Sequence, residues 1–140
     1  MITELTGEFY FMALNSHARI NIDGLEFKSA AAALFSLKED NREEYQDMLP
    51  KQARETAKEE LNYTEDIQMT HQLYRIIEAK FTQNKFLASK LYATGEMEIA
   101  TEDTALNTVL MLVREYIKHL INVEQLEVDA IEDSVLIDNE

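Results

Sequence analysis

Lys80-Phe81-Thr82-Gln83-Asn84-Lys85-Phe86-Leu87-Ala88-Ser89-Lys90-Leu91-Tyr92-Ala93-Thr94-Gly95 is the stretch on which the fold reading turns. It reads as the end of one helix, a second short helix and a Thr94-Gly95 stop, glycine being the residue that most readily takes the left-handed backbone of a helix end. Upstream, Thr64 reads as an N-cap with Glu65 and Asp66 in the favourable first turn. The helix it opens sets Ile67, Leu73, Ile76, Ile77 and Phe81 on one broad face. Downstream, a strong helix starts near Thr104 and places Leu106, Val109, Leu110, Val113, Ile117 and Leu120 at helical spacing.

Further toward the N-terminus, Ser29 is positioned to cap a helix over Ala30 to Leu37, where four consecutive alanines favour helix and allow close packing. Asn41 to Leu49 is polar and acidic and ends at Pro50, after which a short helix is expected over Gln52 to Leu61. The first third reads as a small sheet. Phe9-Tyr10-Phe11-Met12-Ala13 is an aromatic-rich run, and Ile20, Ile22, Leu25 and Phe27 alternate around Asp23-Gly24. An Asp-Gly pair between alternating strands signals a two-residue hairpin, because both turn positions favour positive φ. The fold class is therefore α+β, mainly helical, with a small N-terminal sheet or hairpin. One domain over 1–121 is expected, followed by an acidic tail over 122–140.

Composition narrows the function classes. Hydrophobic residues make up 46% and charged residues 29%, the balance of a globule that can bury a core rather than a disordered chain. Cysteine is absent, which removes disulfides, thiolate nucleophiles and Cys-based zinc sites. The N-terminal Met1-Ile2-Thr3-Glu4-Leu5 lacks a basic leader, and no apolar run reaches the ~18 residues of a membrane span. The reading is a cytoplasmic protein without membrane contact. The formal charge of −14 is the strongest compositional signal. Such a surface repels phosphate backbones, so direct nucleic-acid binding is not expected. It suits either solubility or docking on a protein with a basic surface.

Few other constellations carry chemistry. His17, His71 and His119 show no i, i+4 pair and no H-E-x-x-H, so no metal site is expected. His119 is placed to interact with the C-terminal end of the last helix. Three glycines cannot supply a phosphate-cradling loop, and no cofactor is called for. Arg114, on an apolar helix face, is expected to meet one of the many acids in an internal salt bridge. The methionines are expected to fill the core. The tail contains Glu124, Glu127, Asp129, Glu132, Asp133, Asp138 and Glu140, but also Val123, Leu126, Val128, Ile131, Val135, Leu136 and Ile137. So many branched aliphatics imply that part of the tail folds back or pairs with a partner.

The chain resembles the NADAR/YbiA-like family of N-glycosidases. The family's F-L-S-N-F-Y-P-x-P-I phrase falls on Phe11 to Ile20, ahead of Asp23-Gly24 and Phe27. Its S/T-V-E-H-x-Y-Q-A-x-K phrase falls on Ser29 to Lys38. Pro50 and Ala53, Lys80-Phe81, Gln83-Asn84, Leu87, Leu91, Thr94-Gly95, and Leu110-Met111 with Val113-Arg114 also match, so the resemblance spans Phe9 to Leu120. It implies a compact domain of that fold, with an old pocket around Ala13, Leu14, Ala31 and Arg114. The departures fall where the family's chemistry sits. Its Ser-Asn is Ala13-Leu14, its Glu-His acid/base pair is Ala31-Ala32, a tryptophan is Glu65, a glutamate is Thr101, and a Trp/Gly-rich loop before the last helix is missing.

Cleaving an N-glycosidic bond needs a carboxylate at the anomeric carbon and help for the leaving base. With those positions apolar, the expectation is a non-catalytic acidic binding protein on a degenerate N-glycosidase scaffold. The type that suits it is a virus-encoded stoichiometric inhibitor of a host defence or nucleic-acid-processing protein, working in the host cytoplasm. The partner-binding candidates are Glu39, Asp40, Glu43 and Glu44, and the tail acids Glu124, Glu127, Asp129, Glu132 and Asp133. The alternatives are a sensor that binds ADP-ribose or a nucleotide, and a residually active N-glycosidase using Glu102 or Asp103. Collapse of the apolar walls is expected to fill the old pocket.

Overall fold

The computed structural model describes residues 1–58, 60–61 and 66–126. It is mainly helical with one small hairpin, β1 (Ile20–Ile22) and β2 (Leu25–Phe27), followed by α1 (Ala30–Ser36), α2 (Pro50–Thr56), α3 (Ile67–Thr82), α4 (Lys85–Ala93) and α5 (Thr104–Asn122). The hairpin forms as its turn chemistry dictates: Asp23 and Gly24 sit at φ 54° and 82°, pairing Ile20 with Phe27 and Ile22 with Leu25. Ile20 and Phe27 are fully buried. The free edge of β1 is covered by a side chain rather than a strand. Asn21 N–H donates to Gln83 Oε1 at 2.7 Å, and Gln83 Nε2 donates to Asn21 C=O at 2.7 Å. Asn84 Nδ2 adds bonds to the carbonyls of Arg19 (2.9 Å) and Lys80 (2.7 Å). The corner between α3 and α4 is thus fastened to the hairpin by the two polar residues at the centre of the stretch quoted above.

The aromatic run before the hairpin is not a strand. Gly7–Met12 form a 3₁₀ helix, and Phe11 and Met12 are both buried. Adjacent residues of a strand point to opposite faces, so two neighbouring buried side chains do not suit one. The edge of β1 that such a strand would have joined is already occupied by Gln83.

Ser29 caps α1 as expected, its Oγ accepting from Ala32 N–H at 3.0 Å. Ala30 to Ala33 are all buried, which lets α1 lie close to α2, α3 and the hairpin. Asn41 to Leu49 hold a 3₁₀ helix, Arg42–Asp47. The next helix starts earlier and stops sooner than its sequence suggests. Pro50 is its first residue, Gln52 Oε1 accepts from Leu49 N–H at 3.2 Å, and extended backbone at Ala57 ends it. The cap of α3 is Asp66, whose carboxylate accepts from Gln68 and Met69 N–H; Thr64 and Glu65 lie outside the described residues. Ile67, expected on the apolar face, is 85% exposed, whereas Met69 two residues further on is buried.

Leu73, Ile76, Ile77 and Phe81 of α3 pack with Leu106, Val109, Leu110, Val113 and Ile117 of α5 in one core. Asp103 caps α5, and Asn107 fastens the preceding turn by three hydrogen bonds to Thr101. Ile2 joins through a parallel bridge to Ile99. Past α5, Glu124 takes a left-handed φ of 58° and Leu126 still packs on the core. The rest of the expected tail lies outside the described residues.

Candidate ligand-binding cleft

The loop from Ala13 to Ala18 is held from beneath. Ala31 N–H donates to Leu14 C=O at 2.9 Å, and Lys80 Nζ donates to Ala13 C=O at 2.9 Å and to Ser16 Oγ at 2.8 Å. Ser16 Oγ in turn donates to Phe11 and Ala13 carbonyls. Lys80 is fully buried with neutral oxygens as its partners, and burial pushes its amine down to about 7. Its Nζ lies 5.4 Å from the centre of the Phe81 ring.

Above this support the loop borders a cleft of about 560 Å³. It is lined by Leu14 and Asn15 of the loop, Ala31 and Phe35 of α1, Arg54 of α2, and Ala57, Lys58, Glu60 and Leu61 beyond α2. Ala31 is buried, Leu14, Phe35, Ala57 and Leu61 are half-buried, and Asn15, Arg54, Lys58 and Glu60 are exposed. The cleft therefore pairs apolar residues with an exposed rim that carries Arg54, Lys58 and the Glu60 carboxylate among its described residues. The expected collapse of this site does not occur among the described residues.

The four old-pocket positions do not gather as one site. Leu14 and Ala31 line the cleft. Ala13 contributes its carbonyl to Lys80 behind the wall. Ala32, one residue round the helix from Ala31, packs into the core. Arg114 is not part of the cleft lining: it is 4% exposed and donates from Nη1 to Thr94 Oγ1 at 3.0 Å, while its Nε has no partner. Among the described residues it forms no salt bridge, so the expected pairing with an acid is replaced by a hydroxyl at the end of α4. Burial pulls its guanidinium below the ordinary value, against the opposing pull of Glu115 and Glu96.

The acidic candidates divide. Glu39 is structural: its carboxylate accepts from Tyr45 O–H at 2.8 Å and from Lys58 N–H at 3.1 Å. Burial first, and then Glu39, push the Tyr45 phenol up to about 12. Asp40, Glu43 and Glu44 are exposed, Glu44 accepting from Asn41 Nδ2 at 2.6 Å. Glu124 is exposed beyond α5. Glu127, Asp129, Glu132 and Asp133 lie outside the described residues.

Phe35, Arg54 and Lys58 were not singled out by sequence reasoning. The available signal was modest: Lys51, Arg54 and Lys58 recur at helical spacing in an otherwise acidic chain. Lys80 carried a clearer one, a lysine inside an apolar helix face. No helix among the described residues is long and apolar enough to cross a membrane, and no cluster of His, Asp and Glu among them is arranged to hold a metal ion. The chain matches no family model, no curated protein and no solved structure. The resemblance to N-glycosidases therefore rests on the residues quoted for it.

Proposed function

We propose that this is a non-catalytic binding protein on an N-glycosidase-like scaffold, whose cleft holds an anionic ADP-ribose-like or nucleotide-like ligand without cleaving it. The observation that carries the reading is the cleft of about 560 Å³ with Arg54 and Lys58 beside an apolar wall. Its volume is that of a small-molecule site, and two cations in a chain of net charge −14 are suited to a phosphate. Phe35 offers an apolar surface to a base. The catalytic position of the resemblance is the methyl group of Ala31, and the carboxylate among the described lining residues is the exposed Glu60. Cleavage needs an acid at the anomeric carbon and a second group to help the base leave.

Calorimetric titration with ADP-ribose and with AMP, joined to chromatography of ADP-ribosyl, NAD-like and ribosylaminopyrimidine substrates, tests both halves. Binding that weakens at least tenfold in Arg54→Glu, with no product above a protein-free control, is expected. Turnover abolished by Glu60→Gln would overturn the non-catalytic half. Absence of binding to either ligand would overturn the cleft half.

A second reading has its own support in the exposed Asp40, Glu43 and Glu44 on a strongly acidic chain. It is a stoichiometric factor, of the type a virus encodes, that docks on a basic protein surface with salt-sensitive affinity. Capture of a basic partner whose affinity is the same at low and physiological salt counts against it. Either role belongs in the cytoplasm, that of the host if the chain is viral.

A further inference from the structure

A buried amine without a counter-ion among the described residues stands beneath the loop 13–18. Lys80 of α3 is fully buried, and its acceptors, Ala13 C=O (2.9 Å) and Ser16 Oγ (2.8 Å), are neutral oxygens of that loop. The chain carries 27 Asp and Glu, yet residues 9–22 and 79–95, which these bonds join, contain none. The elements packed on α3 are α1, β1, α4 and α5. Of these, α1 and β1 have no titratable side chain, and α4 carries Lys85, Lys90 and Tyr92 but no acid. Lys90 lies over the ring of Phe11, which meets Phe81 edge-on. On α5, Arg114 bonds Thr94, Glu115 pairs with Lys118, and Tyr116 and His119 are exposed. On α3 itself, Glu78 is two residues away and so on another side of the helix. His17, beside Ser16, is exposed.

We propose that the loop 13–18 is a pH-gated flap, which lifts from α3 when Lys80 takes up a proton and so opens one wall of the cleft. The geometry suits a local movement. The ends of the loop are fixed, Met12 being buried in the core and Ala18 N–H donating to Lys28 C=O at 2.9 Å. Between those ends, the bonds to α3 and α1 come from Lys80 and from Ala31 N–H on Leu14 C=O. An ammonium has three donors and loses its hydration when buried, and here it meets two neutral oxygens in return. Lifting the loop gives that charge back to water, whereas the neutral amine gains little from the movement. The buried amine is pushed down to about 7 by burial, so the closed loop binds fewer protons than the open one above that value. Opening is therefore favoured as pH falls, levels off below about 7, and is least above the ordinary 10.5. Leu14 and Asn15 line the cleft, so the open flap dismantles their side of it.

Amide hydrogen exchange of the full chain between pH 6 and pH 8, corrected for the intrinsic rate at each pH, tests this. The probes are Ser16 N–H, which donates to Ala13 C=O, and Ala31 N–H, which donates to Leu14 C=O. Leu110 and Val113 in the core of α5 report global unfolding. Ser16 and Ala31 are expected to exchange faster than the α5 amides, through an opening about tenfold more populated at pH 6 than at pH 8. Lys80→Met is expected to abolish that change, and His17→Gln to leave it in place. Exchange of Ser16 and Ala31 only at the rate of the α5 amides would mean that the loop moves with the whole fold, and would overturn the proposal. So would an opening that pH does not alter, or one whose pH dependence survives Lys80→Met or vanishes in His17→Gln. No ligand enters the measurement, so failure here leaves the cleft reading standing.

Discussion

Replacing Lys80 with methionine is expected to make the protein more stable near neutrality, by an amount that shrinks as pH rises. Lys80 is fully buried, and its amine is pushed from the ordinary 10.5 down to about 7 by burial. The folded state therefore binds fewer protons than the unfolded chain between those two values. Stability rises with pH across that interval, is least below the folded value, and stops changing above the unfolded one. One pKa unit corresponds to about 1.4 kcal/mol, so the lysine costs about 4 kcal/mol at pH 7 and about 2 kcal/mol at pH 9 relative to its neutral form. Against this stand two hydrogen bonds, to Ala13 C=O and Ser16 Oγ, each contributing about 1 kcal/mol net. Their loss strands no carbonyl, because Ala13 C=O also accepts from Ser16 N–H and Oγ. Methionine fills the space with an unbranched chain of similar length. Urea unfolding of parent and Lys80→Met at pH 7 and pH 9, followed by circular dichroism, measures the gap. The gap should narrow by about 2 kcal/mol on raising the pH, other titrations cancelling in the difference. A gap independent of pH would refute the reasoning, since it would mean that Lys80 stays charged in the fold or is not desolvated.

Other changes probe the supports of the hairpin and the acidic run. Asp23 holds both Arg75 (2.8 Å) and Arg42 (3.1 Å), which pull its carboxyl below the usual range, and it occupies a left-handed turn position. Asp23→Asn keeps the turn and loses only exposed ion pairs, so its loss should stay within about 1 kcal/mol. Asp23→Val, strained at positive φ, should cost at least about 1 kcal/mol more by thermal unfolding. Gln83→Ala uncovers the edge of β1, and amide exchange at Asn21 should accelerate at least tenfold with a stability loss of about 1–2 kcal/mol. Neutralising Asp40, Glu43 and Glu44 together should leave the melting temperature nearly unchanged. Glu39→Gln should lower stability by about 1 kcal/mol, because it weakens the bonds from Tyr45 and Lys58.

Periodicity and turn chemistry are local, and they were legible. The Asp23-Gly24 hairpin, the Ser29 cap and the apolar faces of α3 and α5 follow from residues within a turn or two of one another. The limits of α2 and the 3₁₀ form of Gly7–Met12 were not, because an extended Ala57 and an edge already covered by Gln83 are set by neighbours far along the chain. The candidate site divides in the same way. The alanines at positions 31 and 32 announced an apolar surface, but which of them lines the cleft depends on how α1 packs. That Arg114 turns to Thr94 rather than to the cleft depends on the packing of α4 against α5. Arg54 and Lys58 share a cleft with Leu14 and Asn15 only because the fold brings together residues about 40 positions apart in the chain. By itself, the sequence determined a mainly helical, acidic, cysteine-free domain with alanines at positions 31 and 32. The tertiary structure alone decided that Leu14 and Ala31 would border an open cleft with Arg54, Lys58 and Glu60 beside it, since cavities arise from long-range packing rather than from local preference.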